Sequence, residues 1–286
     1  MYMKAFPKFC VVLCSFCSLF IQTALSEEAP YKGTLSILSY NVAGIHNVLS
    51  PLKNRKNMRT IGEKINKFDI TLLQENFSYH SLLMEAVSFP FWKKADFKGV
   101  LGNGLMRLSK TPFHHFEKFA WPTCSGVFRN DSDCLAKKGF TFARHEVASG
   151  VFVDIYNIHA DAGRSDRDKS ARYKQFKFLS ETIEEKSKGN AVIVGGDWNL
   201  LHDDEDDQLV FFLFLQKNKM RYMCGDLICS QEKLGVFDRF TVRNGEDIFL
   251  NIEELSLPYK HGFYDKKGRP LSDHDPLVIE LEWSLK

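Results

Sequence analysis

The stretch VFVDIYNIHADAGRSDRDKSARYKQFKFLSETIEEKSKGNAVIVGGDWN, residues 151–199, decides the fold. It opens with a run at 151–159 rich in apolar and β-branched residues, which is typical of a strand. A helical pattern follows at 167–186, and its apolar positions are Tyr173, Phe176, Leu179 and Ile183. A second strand-like run occupies 191–197. The order of strand, helix and strand predicts an α/β fold in which helices cover a sheet.

The same alternation continues on both sides of this stretch. Further strand-like runs lie at 34–40, 70–75, 104–109, 140–147, 236–242 and 276–283. Helical patterns lie at 54–67 and 206–217, and Ser165 with Asp168 resembles a capping box before the central helix. The FFLFL run at 211–215 is apolar on every side, which indicates either deep burial or contact with an apolar partner. The pattern is compatible with one doubly wound sheet or with two sheets packed face to face.

The first 26 residues have the layout of a secretory signal peptide. Lys4 and Lys8 precede an apolar run at 9–21, and small residues follow up to Ser26. We expect cleavage near Ser26 and a secreted, periplasmic or extracellular mature protein formed by one domain, 27–286. The alternative is an uncleaved anchor, for which the run is short compared with the roughly 20 residues of a membrane span.

Charge argues against nonspecific binding to nucleic acid. The whole chain has a formal charge of +2, and loss of Lys4 and Lys8 with the signal peptide leaves zero. Proteins that bind duplexes through phosphates usually carry a dense basic stripe. The basic runs here are short and scattered, so solvated surface explains each of them better.

Four cysteines remain after residue 26. In an oxidising compartment an even number favours disulfides. The short intervals favour the pairs Cys124–Cys134 and Cys224–Cys229 among three connectivities. A zinc site is the alternative, but the sequence has neither a CxxC pair after residue 26 nor histidines at ligand spacing.

Polar side chains stand at the ends of five of the apolar runs. Such positions are where an α/β scaffold holds catalytic groups on a rigid base. The residues are Asn41, Glu75, His159 with Asp161, Asp197 with Asn199, and Asp273 with His274. One Asn or Asp after a strand is usually a turn or cap residue. Five strand ends that carry carboxylate, amide and imidazole groups together predict an active site.

Six ordered motifs give the sequence a family resemblance. They are SYN (39–41), LQE (73–75), NIHAD (157–161), GGDWN (195–199), FDRF (237–240) and SDHDP (272–276). With these motifs the chain resembles the endonuclease/exonuclease/phosphatase superfamily of deoxyribonuclease I-like proteins over nearly all of 27–286. The resemblance implies a four-layer α/β/β/α sandwich with two packed mixed sheets flanked by helices.

Within that superfamily the sequence looks most like neutral sphingomyelinases and related bacterial exported proteins. The similarity rests on NGLMRLSKTPF (103–113) and DCLAKKGFTFARHEV (133–147). After His159 the chain departs from the pattern, reading Ala-Asp-Ala-Gly and continuing with Ser165, Asp168 and Arg172. The resemblance implies hydrolysis of a phosphodiester, with a sphingomyelin-type phospholipid as the expected substrate. The alternatives are a secreted DNase-like endonuclease, a phosphoinositide phosphatase, and a noncatalytic binding protein.

The resemblance also implies a metal site. Mg²⁺ prefers one or two carboxylates together with waters and substrate phosphate oxygens. Glu75 is the expected principal ligand of Mg²⁺ or Mn²⁺, with Asn41 beside it and Asp273 in the outer shell.

Roles for the other site residues follow from the same resemblance. His274 is the expected general base, since imidazole titrates near neutral pH, and Asp238 orients it. Asp197 positions the attacking water, while Asn199 and His159 contact the phosphoryl oxygens. Two further residues are candidates for substrate binding, although a solvated lysine and a turn-forming carboxylate are equally good explanations: Lys138 and Asp161.

Two aromatic clusters are candidates for a peripheral membrane contact, although core packing explains most of their members better. They comprise Phe89, Phe91 and Trp92, and Phe113, Phe116, Phe119 and Trp121. We expect the protein to be a monomer.

Overall fold

The computed structural model of the chain describes residues 31–45, 54–95, 102–126, 134, 136–222, 237–256 and 262–286. The expected signal peptide lies outside these ranges, and so do Cys224 and Cys229. Disulfide pairing is confirmed for Cys124 and Cys134, whose sulfurs are 2.00 Å apart. None of the helices in the described ranges is long and apolar enough to cross a membrane.

The described residues form twelve strands and four α-helices. In chain order the strands are β1 Lys32–Asn41, β2 Ile70–Gln74, β3 Phe91–Lys94, β4 Met106–Ser109, β5 Phe113–Ala120, β6 Gly139–Ala148, β7 Val151–His159, β8 Val192–Asp197, β9 Arg221–Tyr222, β10 Asp238–Arg243, β11 Ile248–Ser256 and β12 Leu277–Leu285. The helices are α1 Met58–Ile65, α2 His80–Met84, α3 Asp166–Lys186 and α4 Glu205–Asn218, and a 3₁₀ turn spans Asn54–Lys56.

The strands form two mixed sheets with the same pairing pattern. Sheet A has the order β11-β12-β1-β2-β4-β3, and sheet B has the order β5-β6-β7-β8-β10-β9. The central pairs, β1 with β2 and β7 with β8, are parallel, and the other pairs are antiparallel. A helix connects each parallel pair, α1 in sheet A and α3 in sheet B, as a parallel crossover requires.

Three apolar clusters hold the layers together. One contains residues of both sheets, such as Ile37 and Ile155, and lies between them. The second joins sheet B to α3 and α4, and the third joins sheet A to α1 and α2. The result is the expected α/β/β/α sandwich, which settles the choice between one doubly wound sheet and two packed sheets.

The layer between the sheets, called here the inter-sheet layer, changes polarity along each strand. Alternate residues of a strand face the same side. On β1 they are Leu35, Ile37, Ser39 and Asn41, and on β7 they are Val153, Ile155, Asn157 and His159. All eight are buried. Along these two strands aliphatic side chains therefore occupy one end of the layer, small or amide side chains the middle, and polar or ionisable groups the end where the site lies.

Hydrogen bonds join the amide side chains of Gln74 and Asn157 in the middle of this layer, called the amide middle. Gln74 Nε2 donates to Ser39 Oγ at 3.3 Å and to Asn157 Oδ1 at 2.8 Å. Asn157 Nδ2 donates to the carbonyl oxygens of Leu73 and Met106 at 3.0 and 3.1 Å. The three bonds of Asn157 cross from sheet B to sheet A, so they fix the alignment of the two sheets near the site.

All eight strand-like runs of the sequence are strands, and the capping box at Ser165 and Asp168 is present. The assignment of Tyr173 to the apolar face of α3 is wrong, since the residue is 52% exposed. Arg172 takes the buried position beside it. The FFLFL run is neither wholly buried nor wholly exposed, since Phe211 and Phe214 are buried and Phe212 is exposed. Pattern reading missed α2 and the strands β3, β5, β9 and β11.

Candidate active site

The strand ends named from the sequence meet at one edge of the sandwich. The parallel pairs β1–β2 and β7–β8 end there, and β10 begins there. His159 and Asp238 are the register partners of Asp197 in the two strands that flank β8. Sheet A brings Asn41 and Glu75 to the same edge from the other side of the layer. The structure thus gathers residues separated by more than two hundred positions.

Glu75 has an uncommon backbone conformation. Its φ is +54°, in the left-handed region that costs a non-glycine residue energy. Two glycines make room for this turn: a Cβ on Gly44 would lie 2.6 Å from the Glu75 carbonyl oxygen, and one on Gly104 would lie 2.9 Å from its Cα. The turn directs the carboxylate into the site, where its side chain is 20% exposed.

Asn41 joins the two carboxylates of the site. Its Nδ2 donates to Glu75 Oε1 at 3.3 Å and to Asp197 Oδ2 at 3.1 Å. Its Oδ1 accepts a bond from the backbone N–H of Ala43 at 3.0 Å, which sets the orientation of the amide. Ser272 Oγ donates to the Asn41 carbonyl oxygen at 2.8 Å and ties the SDHDP segment to the end of β1.

Two imidazoles approach Asp197. His159 Nε2 lies 3.4 Å and His274 Nε2 lies 3.9 Å from Asp197 Oδ2. His159 Nε2 is also 4.0 Å from Glu75 Oε1. His274 Nδ1 bonds Asp238 Oδ2 at 2.9 Å, which leaves Nε2 directed toward the site. The pairing of FDRF with SDHDP is therefore present in the geometry.

The remaining candidates lie behind or beside this group. Asn199, at φ +50°, donates from Nδ2 to the Ala160 carbonyl oxygen at 3.1 Å. Lys138 Nζ donates to the same oxygen at 3.2 Å, and the residue is only 8% exposed, so it is not a solvated surface lysine. Asp161 Oδ2 accepts from the Ser125 backbone N–H at 2.6 Å beside the disulfide. Asp273 is exposed and bonds Ser272 at 3.2 Å.

Burial shifts the proton equilibria of the site in opposite directions. It raises the pKa of Glu75 and of Asp197 above the ordinary carboxyl range, and it lowers the pKa of His159 well below 6.5. Burial also disfavours the charged form of His274, but the carboxylates of Asp238 and Asp197 outweigh it and raise the pKa of His274 to about 10.

These groups fit a divalent cation of the kind that keeps most of its waters. Within the described residues no group of three or more His, Cys, Asp or Glu side chains forms a protein cage for a metal. Mg²⁺ does not need one, because it binds through one or two carboxylates and leaves room for phosphate oxygens. Glu75 is partly exposed beside buried Asp197, and a cation there offsets the charge that burial makes costly.

Sequence reasoning missed several residues that support the site. Trp121 Nε1 donates to the His159 carbonyl oxygen at 2.7 Å, and nothing in the local sequence distinguishes this tryptophan from core aromatics. Ser272 is part of the SDHDP motif, so its position beside Asp273 and His274 could have predicted that it supports the site. The glycines that accommodate Glu75, Gly44 and Gly104, carry no signal without knowledge of the backbone.

Comparison with known proteins gives this fold and site a family. The curated sphingomyelinase of Mycobacterium tuberculosis (strain ATCC 25618 / H37Rv) is 27% identical over 275 residues. The match covers 88% of this chain and 53% of the relative, so the chain spans about half the length of the curated relatives it matches.

Solved structures share the architecture at lower identity. A beta toxin from Staphylococcus aureus with bound magnesium ions superimposes with a TM-score of 0.63 at 17% identity, over 86% of this chain and 99% of the toxin. TDP2 of D. rerio in complex with a single-strand DNA product superimposes with a TM-score of 0.66 at 21% identity, over 87% of this chain and 99% of TDP2. The profile of the Endonuclease/Exonuclease/phosphatase family matches residues 38–216, more than half of the sequence. The chain therefore belongs to the endonuclease/exonuclease/phosphatase family.

Proposed function

We propose that the protein is an exported, Mg²⁺-dependent phosphodiesterase that hydrolyses a phospholipid of the sphingomyelin type. One observation carries the proposal: Asp197 Oδ2 lies 3.1 Å from Asn41 Nδ2, 3.4 Å from His159 Nε2 and 3.9 Å from His274 Nε2. A carboxylate approached by an amide and two imidazoles, with Glu75 beside it, is suited to water activation next to an anionic phosphate.

Glu75 would hold the metal, with Asn41 adjacent and Asp273 in the outer shell. When bound, the ion would supply positive charge that offsets the charge of the phosphodiester and favours the neutral form of His274, whose pKa the neighbouring carboxylates raise to about 10. A magnesium-containing structure of the same fold supports the choice of metal.

His274 accepts the proton of the attacking water at Nε2, because its Nδ1 is engaged by Asp238. As the new P–O bond forms, the P–O bond to the lipid alcohol breaks, and the leaving alkoxide takes a proton from solvent. Asp197 accepts a hydrogen bond from that water and orients it. Since burial keeps His159 neutral, its Nε2–H serves as a hydrogen-bond donor to a phosphoryl oxygen. Asn199 is held at the same edge by Ala160.

Lys138 adds positive charge near the phosphate. It is nearly buried, and its charge lowers the pKa of Glu75 against the effect of burial, which indicates that the two groups lie close enough to interact. Asp161 accepts the backbone N–H of Ser125, next to Cys124, and thereby holds the segment beside the disulfide against the loop after His159.

The substrate class rests on two arguments. A zwitterionic lipid presents one phosphate, which a metal and a few neighbours neutralise, whereas a duplex binder gains affinity by contacting several phosphates with Lys and Arg. The chain without residues 1–26 has a formal charge of zero. The curated relative is a sphingomyelinase, although a structure of this fold also holds a DNA product. Export through residues 1–26 is part of the proposal and agrees with the Cys124–Cys134 disulfide.

A substrate panel with Mg²⁺ tests the proposal. The purified protein is given sphingomyelin in mixed micelles, plasmid DNA and phosphoinositides, each with Mg²⁺ and after exhaustive EDTA treatment. We expect phosphocholine release that EDTA abolishes and that Glu75→Gln lacks, while the exposed Glu63→Gln matches the parent. Nicking of plasmid DNA that requires Glu75, without phosphocholine release, would replace the lipid substrate by nucleic acid. Undiminished turnover in EDTA would refute the metal.

A further inference from the structure

A fully buried ion pair lies directly behind the candidate site, between α3 and α4. Arg172 Nε and Nη2 donate to Asp207 Oδ1 and Oδ2 at 2.8 and 2.9 Å, and both side chains are 0% exposed. Burying two charges is expensive, and apolar residues of similar volume often stabilise a fold as well or better. The pair therefore invites an explanation beyond stability.

Arg172 also binds the loop that follows His159. Its Nη1 donates to three successive carbonyl oxygens at 3.2, 3.4 and 2.9 Å, those of Asp161, Ala162 and Gly163. A planar guanidinium presents its donors in a fixed geometry, so its orientation sets the positions of the acceptors. The carboxylate of Asp207 fixes that orientation from the opposite side.

Asp207 binds the second loop, which follows Asp197 and Asn199. Its Oδ2 accepts the backbone N–H of Leu201 at 3.1 Å while it also receives Arg172. One ion pair thus connects the segments after β7 and β8. His159 stands at the start of the first segment, and Asn199 stands at the start of the second.

Gln175, one helical turn beyond Arg172, fixes the peptide that joins Ala160 to Asp161 in the first of these segments. Its Oε1 accepts the backbone N–H of Asp161 at 3.1 Å. Because the peptide unit is planar, this bond also sets the direction of the Ala160 carbonyl. That carbonyl oxygen is the acceptor for Asn199 Nδ2 and Lys138 Nζ. Two side chains of the site therefore depend on a peptide oriented from α3.

We propose that Arg172 and Asp207, with Gln175, are positioning residues that set the geometry of His159, Asn199 and Lys138 during phosphodiester hydrolysis. The reaction itself is the one under Proposed function, and the proposal rests on it. None of the three touches the reacting atoms. They act through the backbone that bears those side chains.

The test compares kcat, KM and stability for variants of the pair, with bis(p-nitrophenyl) phosphate and saturating Mg²⁺ as the probe. We expect Arg172→Lys and Asp207→Asn to lower kcat by about 10²-fold, the loss that a misplacement of about 1 Å causes. We expect KM to change far less, because ground-state contacts remain.

A second arginine–aspartate pair, in sheet B, provides the matched control. Arg144 Nε donates to the buried Asp154 at 2.8 Å and Nη2 at 3.0 Å, on β6 and β7 at the end away from the site. Arg144→Lys should lower the unfolding temperature and leave kcat within about twofold of the parent, because no catalytic side chain depends on that pair.

The double variant Arg172→Met/Asp207→Leu distinguishes the effect of misplaced loops from the effect of lower folding stability. It leaves no lone buried charge, so it should recover stability lost in the single variants. We expect its kcat to stay about 10²-fold low, since no guanidinium then binds the carbonyl oxygens of Asp161, Ala162 and Gly163. A folded double variant with the parent kcat would overturn the proposal.

Amide hydrogen exchange gives a readout that does not depend on activity. Protection at 160–163 and 199–201 should fall at least about tenfold in Arg172→Lys, while 179–183 inside α3 keeps its protection. Parent-like exchange at both loops would overturn the proposal. Absence of turnover in the parent protein would refute the proposed function alone, because the exchange result still decides whether the pair positions the loops.

Discussion

The two ends of the inter-sheet layer are built on the same strands and differ in almost every other respect. At the apolar end, Ile37 and Ile155 pack without a polar partner for their side chains. At the site end, four residues further along each strand, Asn41 and His159 belong to a hydrogen-bonded and charged group. The sandwich thus places its source of stability and its chemistry in one continuous layer.

The amide middle separates these ends and makes the arrangement possible. Ionisable groups in direct contact with an aliphatic core would be desolvated without partners, which costs several kcal/mol each. Gln74 and Asn157 supply donors and acceptors across the gap. The comparison shows how one strand serves both purposes. Apolar residues at its start stabilise the fold, and this stability allows polar residues at its end.

The largest effect should come from the site end. We expect His274→Ala to lower turnover by about 10²- to 10⁴-fold, the range for loss of a general base, with little change in the free energy of unfolding. Asp238→Asn should cost less, since the imidazole remains and only its orientation and charge balance change. Steady-state kinetics together with urea unfolding checks both. Turnover at the parent rate in both variants would remove His274 from its role.

The apolar end should show the reverse behaviour. Ile155→Ala should lower the free energy of unfolding by about 2–4 kcal/mol, because it opens a cavity in a fully buried position. The kcat of the folded fraction should remain near the parent value. Phe152→Ala, on the same strand but partly exposed, is the control and should cost much less. If Ile155→Ala reduced kcat as much as His274→Ala does, the two ends would not be separable.

A change in the amide middle should affect both properties moderately. Asn157→Leu removes the bonds of Asn157 with two carbonyl oxygens and with Gln74 Nε2, so we expect a loss of about 1–3 kcal/mol in stability. Replacing Gln74 by Leu as well should restore part of the stability. Chemical denaturation of both variants measures this, and a double variant no more stable than the single one would contradict the coupling.

The smallest effect concerns pH. Burial, with the Arg107 guanidinium 2.8 Å away, lowers the pKa of His145 well below its ordinary 6.5. The unfolded chain binds a proton at His145 below pH 6.5 and the folded chain does not, so the contribution of His145 to stability should fall as pH drops below that value and stay level above it. One pH unit below 6.5 should cost about 1 kcal/mol.

Denaturation midpoints at neutral pH and near pH 5.5 measure this effect in the parent and in His145→Gln. The variant should lose less stability on acidification, whereas the exposed His114→Gln should follow the parent. Identical pH dependence in the parent and in His145→Gln would show that this buried imidazole does not contribute.

The family resemblance predicted the four layers, and the apolar pattern predicted the eight main strands and the strand ends that meet at the site. These succeed because a buried strand produces an apolar run and a site residue interrupts that run at its end. The pattern missed β3, where both aromatic residues of FWKK are exposed at a sheet edge, because edge strands lack the burial that creates the pattern. It also placed Tyr173 inward, since a buried arginine reads as surface.

The parts of the site that no pattern predicted depend on contacts between distant segments. The left-handed turn at Glu75 depends on glycines at 44 and 104, and the partner of Arg172 lies 35 residues away on another helix. Pairwise contacts of this kind leave no periodic trace in one sequence. For the same reason the order of strands in each sheet became known only from the structure.

The position of β12 has a consequence for how the molecule forms. This strand, Leu277–Leu285, lies between β11 and β1 inside sheet A, and it pairs with β1 across about 250 residues of chain. During synthesis β1 is made long before this neighbour, so the pairing of β1 with β12 forms only after residue 285 has been made. Such long-range pairing is slow and leaves the edge of β1 exposed meanwhile. A chain truncated directly before Leu277 should therefore aggregate rather than refold, even though all the site residues named above precede the truncation.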